Sequence, residues 1–332
     1  MQSRVILALV AVITVFSCVA SAEDTVWVES PASEASCCSA VCASGFFFSG
    51  DYLSWRPSTR GSDFAVSENG ASTTLGTAQI HDASYDSDAG MRLRLGYQTS
   101  TQWSVSATYS YFDTEGAASV VRPAGVGQLF ATQSHPDGNE EAETADASIG
   151  FDYSVFDLVI ERPIFQNRFT DMRVFGGVRW SEIDRQSDVR YDGRDFVNAL
   201  VAKESKMRGA GLRMGTETSW LIANGFKLTG SVSGGLLFSE TSTEYFETNF
   251  DDTVVLVDVM HNQDGSTPFL ECSAGVGWQN ETVSVLVGYE LQNWFGLHER
   301  SMFVDDIHEA TFANISEDLL LSGLFVRSSV RF

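Results

Sequence analysis

The sequence predicts an all-β protein: an antiparallel up-and-down transmembrane β-barrel of about ten strands, with twelve as the alternative count. Three observations predict it. Hydrophobicity alternates with period two over recurring long segments, and the connections between those segments alternate short and long. Beyond residue 22, no apolar run reaches the roughly 18 residues that a membrane-spanning helix needs. The expected location is the outer membrane of a Gram-negative-type cell.

Taken from the amino terminus, residues 1–22 read as a signal peptide. A basic start ends at Arg4, an apolar run covers Val5 to Phe16, and Ala20-Ser21-Ala22 offers small residues for cleavage before Glu23. Residues 23–44 form a short periplasmic segment that holds Cys37, Cys38 and Cys42. In an oxidising compartment these three are disulfide candidates, and the leftover thiol is open to a disulfide-linked oligomer. A metal site there would lack a histidine to complete it, so no metal is expected.

The barrel is expected over 45–332. Its ten segments run at about 46–55, 88–98, 102–112, 145–159, 171–183, 206–219, 226–239, 268–279, 282–293 and 319–331. In Met91-Arg92-Leu93-Arg94-Leu95-Gly96-Tyr97-Gln98, one face is Met, Leu, Leu and Tyr, while the other carries both arginines. Successive strand side chains point to opposite faces, so one face suits lipid and the other a polar interior. Trp103, Val105, Ala107, Tyr109 and Tyr111 repeat the pattern, as do Phe226, Leu228, Val232, Leu236 and Phe238. Most segments reach the roughly nine to eleven residues of a tilted spanning strand, and a closed sheet pairs every backbone donor away from water.

Short connections fall at 99–101, 160–170, 221–225 and 280–281; long ones fall at 56–87, 113–144, 184–205, 240–267 and 294–318. Short periplasmic turns and long outer loops characterise this barrel class. Asn224-Gly225 is a hairpin signal. The formal net charge is −23, and the long connections carry most of the acids; 240–267 has seven and no Lys or Arg. Nucleic acid is thereby excluded as a partner. Trp55, Trp103, Trp180, Trp220 and Trp294 lie near segment ends, where an aromatic belt is expected. Phe332 ends the last alternating segment and is read as an assembly signal for the barrel-assembly machinery. Outer-membrane lipid and lipopolysaccharide are the other expected partners.

Continuing the alternation inward yields the candidate lumen residues Asp51, Arg92, Arg94, Asp152, Arg173, Arg179, Arg213, Glu217, Glu271, Glu290 and Arg327, with Asp146, Lys227 and Arg331 beside them. The two signs nearly balance. Such charges either line a hydrated pore and set its selectivity or close a narrow bore with ion pairs. Inward glycines such as Gly150, Gly177 and Gly211 widen the bore on one view and relieve strand curvature on the other.

Gly50-Asp51-Tyr52-Leu53-Ser54-Trp55-Arg56-Pro57 and Arg173-Val174-Phe175-Gly176-Gly177-Val178-Arg179-Trp180 resemble the Legionella-type major outer-membrane protein family. The resemblance implies a pore-forming outer-membrane barrel. The expected role is a small or gated pore for passive passage of ions or small solutes. A surface adhesin or structural envelope protein acting through acidic outer loops is the alternative.

Catalytic residues and cofactors are not expected. The histidines His81, His135, His261, His298 and His308 all lie in predicted loops, and only Asp305 and Asp306 beside His308 suggest local acid–base chemistry. Asp251-Asp252 and Asp305-Asp306 fit no Ca²⁺ loop spacing.

Overall fold

A computed structural model describes residues 44–59, 61–69, 78–135, 141–280, 282–303 and 312–332, with backbone only at 298–303 and 312–316. Cys37, Cys38 and Cys42, the 1–22 segment and Asp305, Asp306 and His308 lie outside the described residues.

Among the described residues thirteen strands form in chain order: β1 (Gly45–Thr59), β2 (Asp63–Glu68), β3 (Ala78–Asp82), β4 (Asp88–Gln98), β5 (Ser104–Val121), β6 (Gln128–Ala131) and β7 (Thr144–Gln166), followed by β8 (Thr170–Gly193), β9 (Phe196–Ala223), β10 (Phe226–Asn249), β11 (Val254–Gln279), β12 (Val283–Phe303) and β13 (Phe312–Arg331). Ten of them close an antiparallel barrel in the order β1-β4-β5-β7-β8-β9-β10-β11-β12-β13, with β13 returning to β1. The predicted count of ten is the observed ring. β2, β3 and β6 make a separate three-stranded sheet that the sequence pattern did not announce.

All four tight turns at one end are short. Asn224 and Gly225 both take positive φ (51° and 85°), as a two-residue hairpin turn requires. The amide of Phe332 donates to the Phe46 carbonyl at 2.9 Å, so the last residue is tied to β1 at this same end. By the rule for this class, this is the periplasmic end.

At the opposite end the predicted loops 184–205 and 240–267 are corrected to strand. β7 to β11 run 23, 24, 28, 24 and 26 residues, more than twice the length a bilayer needs. The predicted connection 160–170 likewise narrows to a turn at 167–169. Val189, Tyr191, Phe196, Ala199 and Val201 point inward from β8 and β9, and Tyr245 and Val257 from β10 and β11; all are buried. Their partners are on the small sheet: Phe64, Ala65 and Leu129 belong to the same apolar cluster. The Tyr191 hydroxyl donates to the Phe64 carbonyl at 2.5 Å, and the Tyr245 hydroxyl to the Gln133 carbonyl at 2.7 Å. Burial raises the pKa of both hydroxyls, so both remain donors. Beyond the bilayer the wall is wet outside and dry inside. Its outward positions carry acids, which reads as loop to any search for an apolar outer face.

That change of surroundings inverts the polarity of each long strand partway along. In β7 the buried inward set is Ala145, Ala147, Ile149, Phe151, Tyr153, Val155, Asp157 and Val159, whereas Phe156, Leu158 and Ile160 are exposed to lipid. Asp146, Gly150 and Asp152, assigned to the lumen from sequence, are therefore on the outer surface. The assignment assumed apolar residues outward along the whole segment, which holds only below Phe156. Asp152 pairs across the sheet with Asp113 on one side and Asp184 on the other. Partial desolvation, with those two neighbours, holds its carboxyl above the usual range.

Gly177 and Gly211 settle the glycine alternatives. A Cβ at Gly177 would run into the Leu158 carbonyl, and one at Gly211 into the Leu236 carbonyl. Neighbouring strands approach too closely for a side chain there, so these glycines permit the sharp curvature of a ten-strand ring.

Candidate lumen site

Inside the ring lie three ion-pair clusters, the first two lining one cavity. In the first, Asp51 of β1 accepts from Arg327 of β13 (2.9 Å) and Arg92 of β4 (3.3 Å), and Arg92 also reaches Glu290 of β12 (3.1 Å). In the second, Arg179 of β8 forks onto both oxygens of Asp157 (2.7 and 2.8 Å) and reaches Glu271 (2.5 Å). Arg213 of β9 also pairs with Asp157 and lies 2.7 Å from Glu271. In the third, Glu161 of β7 is shared by Arg94 (2.8 Å) and Arg173 (2.9 Å), and Asp171 also pairs with Arg173. The Arg179 and Asp157 side chains are only 3% and 4% exposed. Bidentate geometry with every charge opposed is what allows such groups to leave water.

Aromatic rings cap the charged column on its outer side. Trp55, Tyr153 and Trp294 are buried in the lumen; Tyr153 meets Trp55 at 5.6 Å and Trp294 at 6.1 Å between centroids. Phe112 and Phe269 extend the layer, 5.7 Å from Trp55 and 5.1 Å from Trp294. Trp55 and Trp294 are thus corrected from the expected interfacial belt to the interior, whereas Trp103 and Trp180 are exposed on the wall. Both corrected tryptophans share the inward parity of their strands, and each has work for it. The Trp55 indole donates to Glu290 at 2.8 Å, and Arg179 stacks over Phe269 at 4.4 Å and over Trp294 at 5.6 Å.

Two cavities lie on the periplasmic side of this septum. The wider, about 440 Å³, opens at the short-turn mouth and has Arg94, Glu161, Arg173 and Arg327 in its wall. A narrower one of about 120 Å³ reaches among Arg92, Arg179, Arg213, Glu271 and Glu290 and touches Tyr153. Glu217 lines both. Ten of the eleven candidate lumen residues therefore face the bore; Asp152 does not. Asp157, Glu161 and the septum rings were missed. The alternation Phe156-x-Leu158-x-Ile160 was the available signal for the two acids, because it places 157 and 161 inward.

A closed ring of ten antiparallel strands with a lipid-facing apolar band and a charged interior defines an outer-membrane β-barrel protein. Its sequence matches, over residues 40–332, the family described as Legionella pneumophila major outer membrane protein precursor, and the chain belongs to that family. No curated protein matches it in sequence. Among solved structures it is similar to the outer membrane protease OmpT from Escherichia coli, with TM-score 0.50 and 10% identity over 87% of this chain and 97% of that one. A major outer membrane protein from Thermus thermophilus aligns with TM-score 0.37 and 8% identity, over 87% of this chain and 100% of that one. At these identities the likeness concerns the fold.

Proposed function

We propose that this barrel is a narrow, gated passage for ions or small solutes, closed at the aromatic septum in the conformation described. The observation that supports the reading is the charged column itself. A barrel serving only as a scaffold gains nothing from buried ion pairs, because well-packed apolar side chains of similar volume are generally as stable or more so. Here polar groups run from the periplasmic mouth to Tyr153, where the ring layer and the apolar core shared with the small sheet begin. The pore-forming role implied by the family resemblance agrees with this reading.

Single-channel recording in a planar bilayer tests it. The wild type should stay mostly closed with small steps. Replacing Tyr153 and Trp294 together by alanine should give larger and more frequent steps, with ion selectivity that shifts on Arg92→Gln. Silence from both proteins, each shown to be folded by heat-modifiable gel mobility, would remove the passage. The second reading would then stand: a sealed stem carrying an acidic outer head. The buried core shared by the small sheet and the strand extensions favours that head as a built surface domain.

A further inference from the structure

We infer that the periplasmic mouth of the barrel is a binding cup for small multivalent oxyanions of the phosphate type. The inference does not require the septum to open.

The cavity of about 440 Å³ opens between the short turns and narrows to about 120 Å³ before the ring layer. Its volume falls within the range of small-ligand pockets. Its charge runs against that of the whole chain. The wall carries Arg94, Arg168, Arg173, Lys227, Arg327 and Arg331 against Glu161, Asp171 and Glu217, an excess of three positive charges in a protein of formal charge −23.

The excess is not spent on internal pairing. Arg94, Arg173 and Arg327 are neutralised by Glu161, Asp171 and Asp51, but Lys227 and Arg331 form no ion pair among the described residues. Lys227 is half-buried, and Glu217 lines the same cavity without forming an ion pair with it. Glu217 attracts this partly desolvated ammonium without a direct ion pair, so an anion that joins it is favoured.

The remaining polar wall supplies neutral donors. Ser49 and Ser104, Ser219 and Thr229, and Ser284 and Ser329 all border the cavity. Guanidinium forks with hydroxyl donors are the chemistry that recognises phosphate and other compact oxyanions. These cations line the lumen rather than the lipid face, so a solute fits the site better than a lipid headgroup. The ring layer and the acidic outer wall leave the periplasm as the side of entry.

The test is isothermal titration of inorganic pyrophosphate into the refolded, detergent-solubilised protein at low ionic strength. Acetate serves as the monovalent control. The expected result is saturable binding of one pyrophosphate, weakened by added chloride and absent with acetate. Lys227→Gln with Arg331→Gln should weaken it at least tenfold. Arg208→Gln, which removes an exposed cation on the outer wall, should leave it unchanged. Neither Lys227 nor Arg331 anchors a carboxylate, so the double variant is expected to fold, with heat-modifiable mobility as the check. Wild-type protein that shows no saturable binding, or equal affinity in the double variant, would overturn the inference. Should that variant fail to fold, the wild-type pyrophosphate and acetate titrations decide alone.

Discussion

Replacing Arg179 by glutamine probes whether the lumen is dry. Arg179 is 3% exposed, forks onto Asp157, reaches Glu271 and stacks on Phe269 and Trp294. Removing one partner of a buried pair typically costs about 3–5 kcal/mol, because the carboxylate left behind is neither hydrated nor opposed. Arg213 still contacts both Asp157 and Glu271, which moves the expected loss to the lower end, about 3 kcal/mol. The same pair bathed in water would contribute only about 0–1 kcal/mol. Equilibrium unfolding in urea, followed by tryptophan fluorescence in lipid vesicles, separates these values. A double-mutant cycle with Asp157→Asn isolates the coupling between the two side chains. A loss under about 1 kcal/mol would refute the reasoning: the clusters would be hydrated and the bore open to water.

Three further outcomes are expected. Val287→Arg, on the lipid face of β12, should cost up to about 2–4 kcal/mol in vesicles, while Val126→Arg, also exposed but outside the barrel wall, should stay within about 0.5 kcal/mol. Equal effects would contradict the placement of the bilayer. Gly177→Ala should destabilise by about 1–3 kcal/mol through its clash with the Leu158 carbonyl, whereas Gly265→Ala, with open space around it, should be near neutral; the urea midpoints measure both. Asp152→Asn should raise the unfolding midpoint at neutral pH. The carboxyl pKa is raised in the folded state, so the folded protein binds more protons than the unfolded chain and the charged form weakens it. The gain should therefore shrink as pH falls through that raised pKa and the wild-type group protonates. A gain that persists or grows in acid would contradict the sign of the shift.

Period-two patterning was enough to determine the ten-strand barrel, its outer-membrane location and the inward parity of most charged residues. This follows because lipid imposes one rule on every spanning strand: apolar side chains outward, with the other face left to whatever the interior holds. Where lipid ends, the rule ends. Asp152 shows this, since its strand changes surroundings near Phe156 and the inward face becomes the apolar one. The strand extensions at 184–205 and 240–267 escaped for the same reason, their exposed faces being acidic. Trp55 and Trp294 carried the right parity but a misleading identity, because tryptophan suits both an interfacial belt and a dry septum. What only the tertiary structure decided is which inward residues meet. Asp157 with Arg179, Glu290 with Trp55, and Lys227 with Arg331 in one cup are juxtapositions of distant strands. They depend on register and ring closure, and alternation along one strand carries no information about either.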